Sequence, residues 1–268
     1  MKALTRVAQL VLSLVLLCAL TAPWLAPKRY DEPFRESIST TPSREFPLGT
    51  DELGRDRFSR LLYATAISAV LAPAAALTSI CLGLLLATLA PLRSQLLRFP
   101  LSIFTTLTLS IPWIFPFILL RAVLPLNTSP ATSILLTFAL IGVAGWAYPG
   151  RVLAGTMRDI ADSDWLLLAR ASGIPAVRIF TRQIWPHLRA VCLAQFRTLI
   201  PAYILSEASL GLLGLGVAEP LPSWGNMLME LQYPSRIQAN PAILAPLGLL
   251  IAVMVCLEIL GNRPQRIS

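Results

Sequence analysis

Apolar and polar positions fall along this chain in long blocks, not with the short period of a soluble fold. The first block, Val7 to Ala26, reads VAQLVLSLVLLCALTAPWLA behind Lys2 and Arg6. A cleaved leader would share that layout. The run is long, however, and Pro23 and Trp24 interrupt the small-residue cleavage pattern, so a retained helix is expected. A polar, proline-rich stretch from Pro27 to Ala66 follows, then a second span without a single charge, Ile67 to Ala90. A third span, Pro100 to Leu120, is expected to kink, because Pro112 and Pro116 each remove a backbone donor. The fourth is expected over Ala131–Tyr148, and the fifth over Ala190–Leu210, after a basic stretch from Arg151 to Arg189. A loop rich in Gly, Pro and Trp leads to the last, Pro241–Leu260. Each block is close to the ~20 residues that cross a hydrocarbon core of ~30 Å. The pattern predicts an all-α membrane protein of six transmembrane helices. It divides into an N-terminal helix with its polar extracytoplasmic segment, 1–66, and a five-helix core, 67–262.

Composition strengthens this picture. Of the residues 55% are hydrophobic and 13% charged, with a mean hydropathy of +0.67. A soluble domain usually carries about 25% charged residues, so lipid must solvate much of this surface. The net charge of +8 does not point to nucleic acid, since the basic residues are scattered between spans with no aromatic-interleaved stripe. With the N-terminus in the cytoplasm, inner segments hold 12 Lys and Arg, including Arg93, Arg263 and Arg266, against 9 outside. That favours both termini on the cytoplasmic side of the membrane. Cys18, Cys81, Cys192 and Cys256 lie far apart in apolar runs and read as small hydrophobes. The single histidine, His187, excludes a multi-histidine metal site.

Candidate chemistry is sparse. No H-E-x-x-H, G-x-S-x-G or intramembrane aspartate pair occurs, so no enzyme is expected. No G-x-x-x-x-G-K-[ST] occurs, so the chain cannot itself hydrolyse ATP. A secondary transporter would need intramembrane ion ligands, and the spans offer only Glu207 and Glu258. Arg197 and Glu207 are charges at membrane depth, where such groups face a cavity or a partner. Ten residues of helix separate them by about 15 Å, so they do not pair with each other.

The most informative stretch is DIADSDWLLLARASGIPAVRIFTRQIWPHL, Asp159 to Leu188. Ser163 or Asp164 can cap a helix starting at Trp165. Gly173 supplies a left-handed stop after Ser172, and Pro175 suits the first turn of a second helix. The first helix is apolar nearly all round: Trp165, Leu166, Leu167, Leu168, Ala169, Ala171. It must be buried against its own bundle, the lipid interface or a partner. Two further segments stand out. In FPLGTDELGRDRFSRLLYATAIS, Phe46 to Ser68, the residues Gly49, Thr50, Asp51, Gly54, Arg55 and Asp56 suit a tight turn whose charges pair locally. In EASLGLLGLGVAEPLPSWGNML, Glu207 to Leu228, Gly211, Gly214 and Gly216 permit close helix approach or a helix break.

Together these three segments resemble the permeases of ABC importers, in particular the C-type subunit of the dipeptide, oligopeptide and nickel group. Ala169 and Gly173 fall on the second alanine and the glycine of that family's coupling motif, and Ile184 and Pro186 on its downstream isoleucine and proline. Leu167 stands in place of the motif glutamate, Leu168 in place of its first alanine, and Trp185 in place of a leucine. The Phe46–Ser68 and Glu207–Leu228 segments are similar to that group's GTD-x-x-GRD and SFLGLG…SWG signatures. The resemblance covers roughly residues 1–260. It implies a type I importer architecture in which Trp165, Leu166, Leu167, Leu168, Ala169, Gly173, Ile184 and Pro186 form the ATPase-docking coupling region. Arg197 and Glu207 are candidates for the translocation path or its gate. The implied partners are a second permease, two ABC ATPase subunits and an extracytoplasmic solute-binding protein, in membrane lipid. This chain would bind no cofactor, because the partner subunits hydrolyse ATP. Peptides are the expected cargo, with nickel or a metal chelate the alternative.

Overall fold

The computed structural model describes residues 2–88, 95–123 and 129–261. Twelve α-helices are formed by these residues: α1 Lys2–Leu25, α2 Arg57–Ala87, α3 Gln95–Ser110, α4 Ile114–Val123, α5 Pro130–Ala144, α6 Ala147–Ala161, α7 Asp164–Ala171, α8 Ala176–Ile179, α9 Trp185–Leu212, α10 Trp224–Leu228, α11 Pro234–Ala239 and α12 Ala245–Gly261. A π-helical turn, Phe180–Ile184, joins α8 to α9. No strand is present among the described residues, only one bridge between Thr50 and Asp56. The all-α expectation therefore holds. Among the described residues five runs are long and apolar enough to cross a membrane, and the bent pair Ser102–Ser110 and Ile114–Leu120 makes up to six.

Several element boundaries differ from the sequence pattern. The second span begins at Arg57, ten residues before the apolar run, because Arg57 and Arg60 are neutralised by partners distant in sequence and can enter a helix. The third span is not merely kinked: α3 and α4 meet at 80°, with Pro112 in the non-helical link between them. The basic stretch after Tyr148 starts as helix, since α6 continues to Ala161. Arg93, Arg263 and Arg266, three of the inner charges, lie outside the described residues.

Contacts divide the chain into two compact units. One comprises Met1–Ala72, Ile118–Phe138 and Pro201–Ser268. Within it α1 packs on α12 and buries Ala8, Ala19 and Ala22 while leaving Leu10, Leu14, Leu17 and Leu20 exposed. Small residues allow close backbone approach on one side, and large apolar residues meet lipid on the other. The other unit comprises Pro73–Phe117 and Ala139–Ile200. There α2 meets the α5–α6 hairpin through small residues. A Cβ added to Gly83 would lie 2.7 Å from the Gly150 nitrogen, and Ser79 Oγ donates to the Gly142 carbonyl at 2.5 Å. Helix α3 packs on α6, with Phe104 stacked on Trp146 at 5.5 Å and Arg151 donating to Thr106 Oγ1.

Candidate functional site

The region 159–188 folds as a small helical platform. Ser163 is the N-cap of α7, but its hydroxyl donates back to the Ile160 carbonyl and does not cap. The helix ends in a Schellman motif: Ile174 N–H reaches the Ala169 carbonyl and Gly173 N–H the Arg170 carbonyl. Gly173 adopts φ 70°, as a left-handed terminator requires. Pro175 is the N-cap of α8, one residue before the position expected.

The helix has two faces. Leu166 and Ala169, three apart, turn inward with Ile160 and Ile179, and Ile174 and Ile184 pack against this cluster. Leu167 and Leu168 are 55% and 67% exposed. Val177 and Phe180 extend the exposed apolar surface. Trp165 is 37% exposed, its ring against that of His187, which is also exposed. Of the eight residues expected to dock a partner, the structure thus turns two inward, and Pro186 and Ile184 are partly buried where α9 begins. Gly173 is exposed, with open space where a Cβ would stand.

Arg197 and Glu207 both lie on α9 and have opposite surroundings. Arg197 is exposed and makes no ion pair with a described residue. Glu207 is completely buried, and neither carboxylate oxygen has a hydrogen-bond partner in good geometry. It sits at a junction of α2, α9 and α10. A capping box between Ser223 and Asn226 starts α10, the Trp224 indole N–H donates to Thr65 Oγ1 at 3.2 Å, and a Cβ on Gly225 would lie 2.8 Å from Glu207 Oε1. Gly211 is closer still: its Cβ would fall 2.1 Å from the Gly225 carbonyl carbon. Gly214, at φ 72°, ends the last turn of this helix.

The Phe46–Ser68 segment is the tight turn expected. Gly49 and Gly54 have φ 72° and 75°, Asp51 Oδ2 accepts from Arg55 Nε at 2.7 Å, and Asp56 caps α2 by accepting from Ser59 N–H at 2.9 Å. The sequence did not reveal its long-range partners. Glu219 accepts from Arg55 at 2.6 Å and from Arg60 at 3.0 Å. Glu230 pairs with Arg57, and Glu52 with Arg236. Burial of Arg55 alone would lower its pKa, yet the charges of Asp51 and Glu219 outweigh it and raise it. Asn240 Nδ2 donates to the Leu48 carbonyl at 3.3 Å. Nothing local signalled them, because Arg55, Arg57 and Arg60 are matched in number by Asp51, Glu52 and Asp56 within residues 51–60.

The family described as binding-protein-dependent transport system inner membrane component matches residues 79–263. The chain is similar to the di/tripeptide transport system permease protein DppC of Pseudomonas aeruginosa, with 31% identity over 82% of this chain and 72% of the relative. It is 29% identical to the oligopeptide transport system permease protein OppC of Escherichia coli K12, over 94% and 82%. It is 25% identical to OppC of Bacillus subtilis, over 97% and 83%.

Proposed function

Because the chain belongs to the binding-protein-dependent transport system inner membrane component family, we propose that it is a pore-forming permease of an ATP-driven peptide importer. Relatives named for di/tripeptides and oligopeptides favour peptide over nickel or a metal chelate as cargo. In this reading α7 docks on an ABC ATPase, both termini lie in the cytoplasm, and the Phe46–Ser68 turn faces outward, towards a solute-binding protein. A second permease completes the pore.

The exposed apolar pair Leu167 and Leu168, on a helix whose other face is already buried, is the observation that carries the docking role. Covering what remains exposed of these two side chains is worth about 2–4 kcal/mol in gross transfer energy. Leu166 and Ala169 then hold the helix and do not touch the ATPase. The missing motif glutamate is consistent with an apolar groove on the partner. Arg197, uncovered by its own chain at membrane depth, faces the second permease or the water-filled path. Glu207, sealed beneath α10, fits a gate element better than a cargo contact.

Replacing Leu167 or Leu168 with aspartate is expected to abolish transport-coupled ATPase activity, with membrane insertion unchanged. Normal coupled activity in both variants would remove the docking role. Labelling that placed 159–188 on the extracytoplasmic face would remove the importer reading altogether.

A further inference from the structure

Helix α7 has to move something, and its backbone connection to α9 is ill suited to the task. The link passes through Gly173, in the left-handed region with open space around it, and then through the π-helical turn Phe180–Ile184. A glycine break and a π-turn both yield under load. A displacement of α7 would be absorbed there unless side chains bridge the two helices.

Two bridges are present. Ile184 packs both on the cluster beneath α7 and on the cluster of Ala87, Leu153 and Leu188 at the start of α9. The second bridge is aromatic. The imidazole of His187, in the first turn of α9, lies 17° from parallel with the indole of Trp165, in the first turn of α7, with centroids 6.2 Å apart. This is an offset-stacked arrangement. His187 Nδ1 is 2.7 Å from the Gln183 carbonyl. A carbonyl only accepts, so Nδ1 carries the proton and donates, and the ring is fixed against the last residues of the π-turn.

We infer that Trp165 and His187 form the joint through which a displacement of α7 reaches α9, with His187 as a positioning residue. Trp165 then belongs to the transmission and not to the docking face, which is left to Leu167 and Leu168. The inference rests on the ATPase-docking reading of α7.

The test uses the full transporter with its ATPase subunits. Spin labels are placed at Arg170→Cys on α7 and Leu193→Cys on α9, in a background with the four native cysteines changed to serine. The distance between labels is measured without nucleotide and after trapping with ATP and vanadate, and ATPase affinity is measured in parallel. With His187 present, a single narrow distance is expected that survives trapping, because both helices move together. His187→Ala is expected to lose the narrow distance and to make it nucleotide-dependent, with ATPase affinity unchanged. His187→Phe, which keeps a ring, should restore the original behaviour. If His187→Ala does not assemble, His187→Gln, which keeps a donor near Gln183 but no ring, is used instead. An unaltered distance distribution in the ring-less variant overturns the joint. So does a Trp165→Ala variant that binds the ATPase as poorly as Leu168→Asp, since Trp165 would then be a docking residue. Full ATPase binding by Leu168→Asp counts against the docking reading itself, separately from the joint.

Discussion

Gly211→Ala tests the close approach of α9 and α10, where an added Cβ has very little room. The added methyl would stand 2.1 Å from the Gly225 carbonyl carbon, 2.3 Å from its Cα and 2.6 Å from the Asn226 nitrogen, all backbone atoms. Cβ atoms essentially never come nearer than 3.0 Å, so α10 must retreat by about 0.9 Å, the difference between 3.0 and 2.1. Overpacking of this kind costs about 1–3 kcal/mol. The retreat also draws the Trp224 indole N–H away from Thr65, already 3.2 Å distant, and forfeits roughly another 0.5–1.5 kcal/mol. Alanine's better helix propensity returns at most about 1 kcal/mol, which leaves a net loss of roughly 1–3 kcal/mol. The matched control is Gly248→Ala on α12, where a Cβ meets nothing within 4 Å. There propensity alone should act, stabilising by about 0.5–1 kcal/mol. Thermal unfolding of the detergent-purified protein, read as loss of monodisperse material after heating, should move in opposite directions for the two variants. A Gly211→Ala protein that melts at or above wild type would refute the close approach of α9 and α10.

Three further outcomes can be measured in the same way. Glu219→Gln should destabilise more than Arg60→Met, although each breaks two ion pairs. The first leaves two buried guanidiniums with Asp51 alone, whereas the second leaves a carboxylate that is half exposed and can be hydrated; a difference of about 1–2 kcal/mol is expected, and the reverse order would disprove it. Asp56→Ala removes the acceptor at the start of α2 and should cost about 1–2 kcal/mol, with Asp56→Asn recovering most of the loss. Ser79→Ala, which deletes a buried bond to the Gly142 carbonyl, should cost about 1 kcal/mol, and no change would show that bond to be dispensable.

The spans were legible because hydrocarbon imposes a length and a composition that few other environments impose. The Asp159–Leu188 platform was legible too, since Gly173 and Pro175 are local signals that act on their own backbone. Which face of α7 turns inward was not. Leu166, Leu167 and Leu168 are chemically alike, and only the positions of Ile160 and Ile179 decide between them. The start of α2 was misjudged for a related reason. Arg57 and Arg60 look like a boundary until Glu230 and Glu219, more than 150 residues away, are seen to neutralise them. The burial of Glu207 depends in the same way on α10 closing over it, through two glycines whose spacing in sequence says nothing of their contact.

The turn before α2 has almost no regular structure of its own, and its order is borrowed from residues made much later. Arg55 and Arg57 find their acids 164 and 173 positions downstream, and Thr40 and Leu48 meet Asn240 only 200 and 192 positions on. During synthesis Asp51 is the local acid for Arg55 and Arg60, and their remaining partner, like that of Arg57, is threaded only in the final quarter of the polypeptide. A product truncated before Glu219 would leave Arg55 and Arg60 to share Asp51 at the mouth of its second helix, and Arg57 without Glu230.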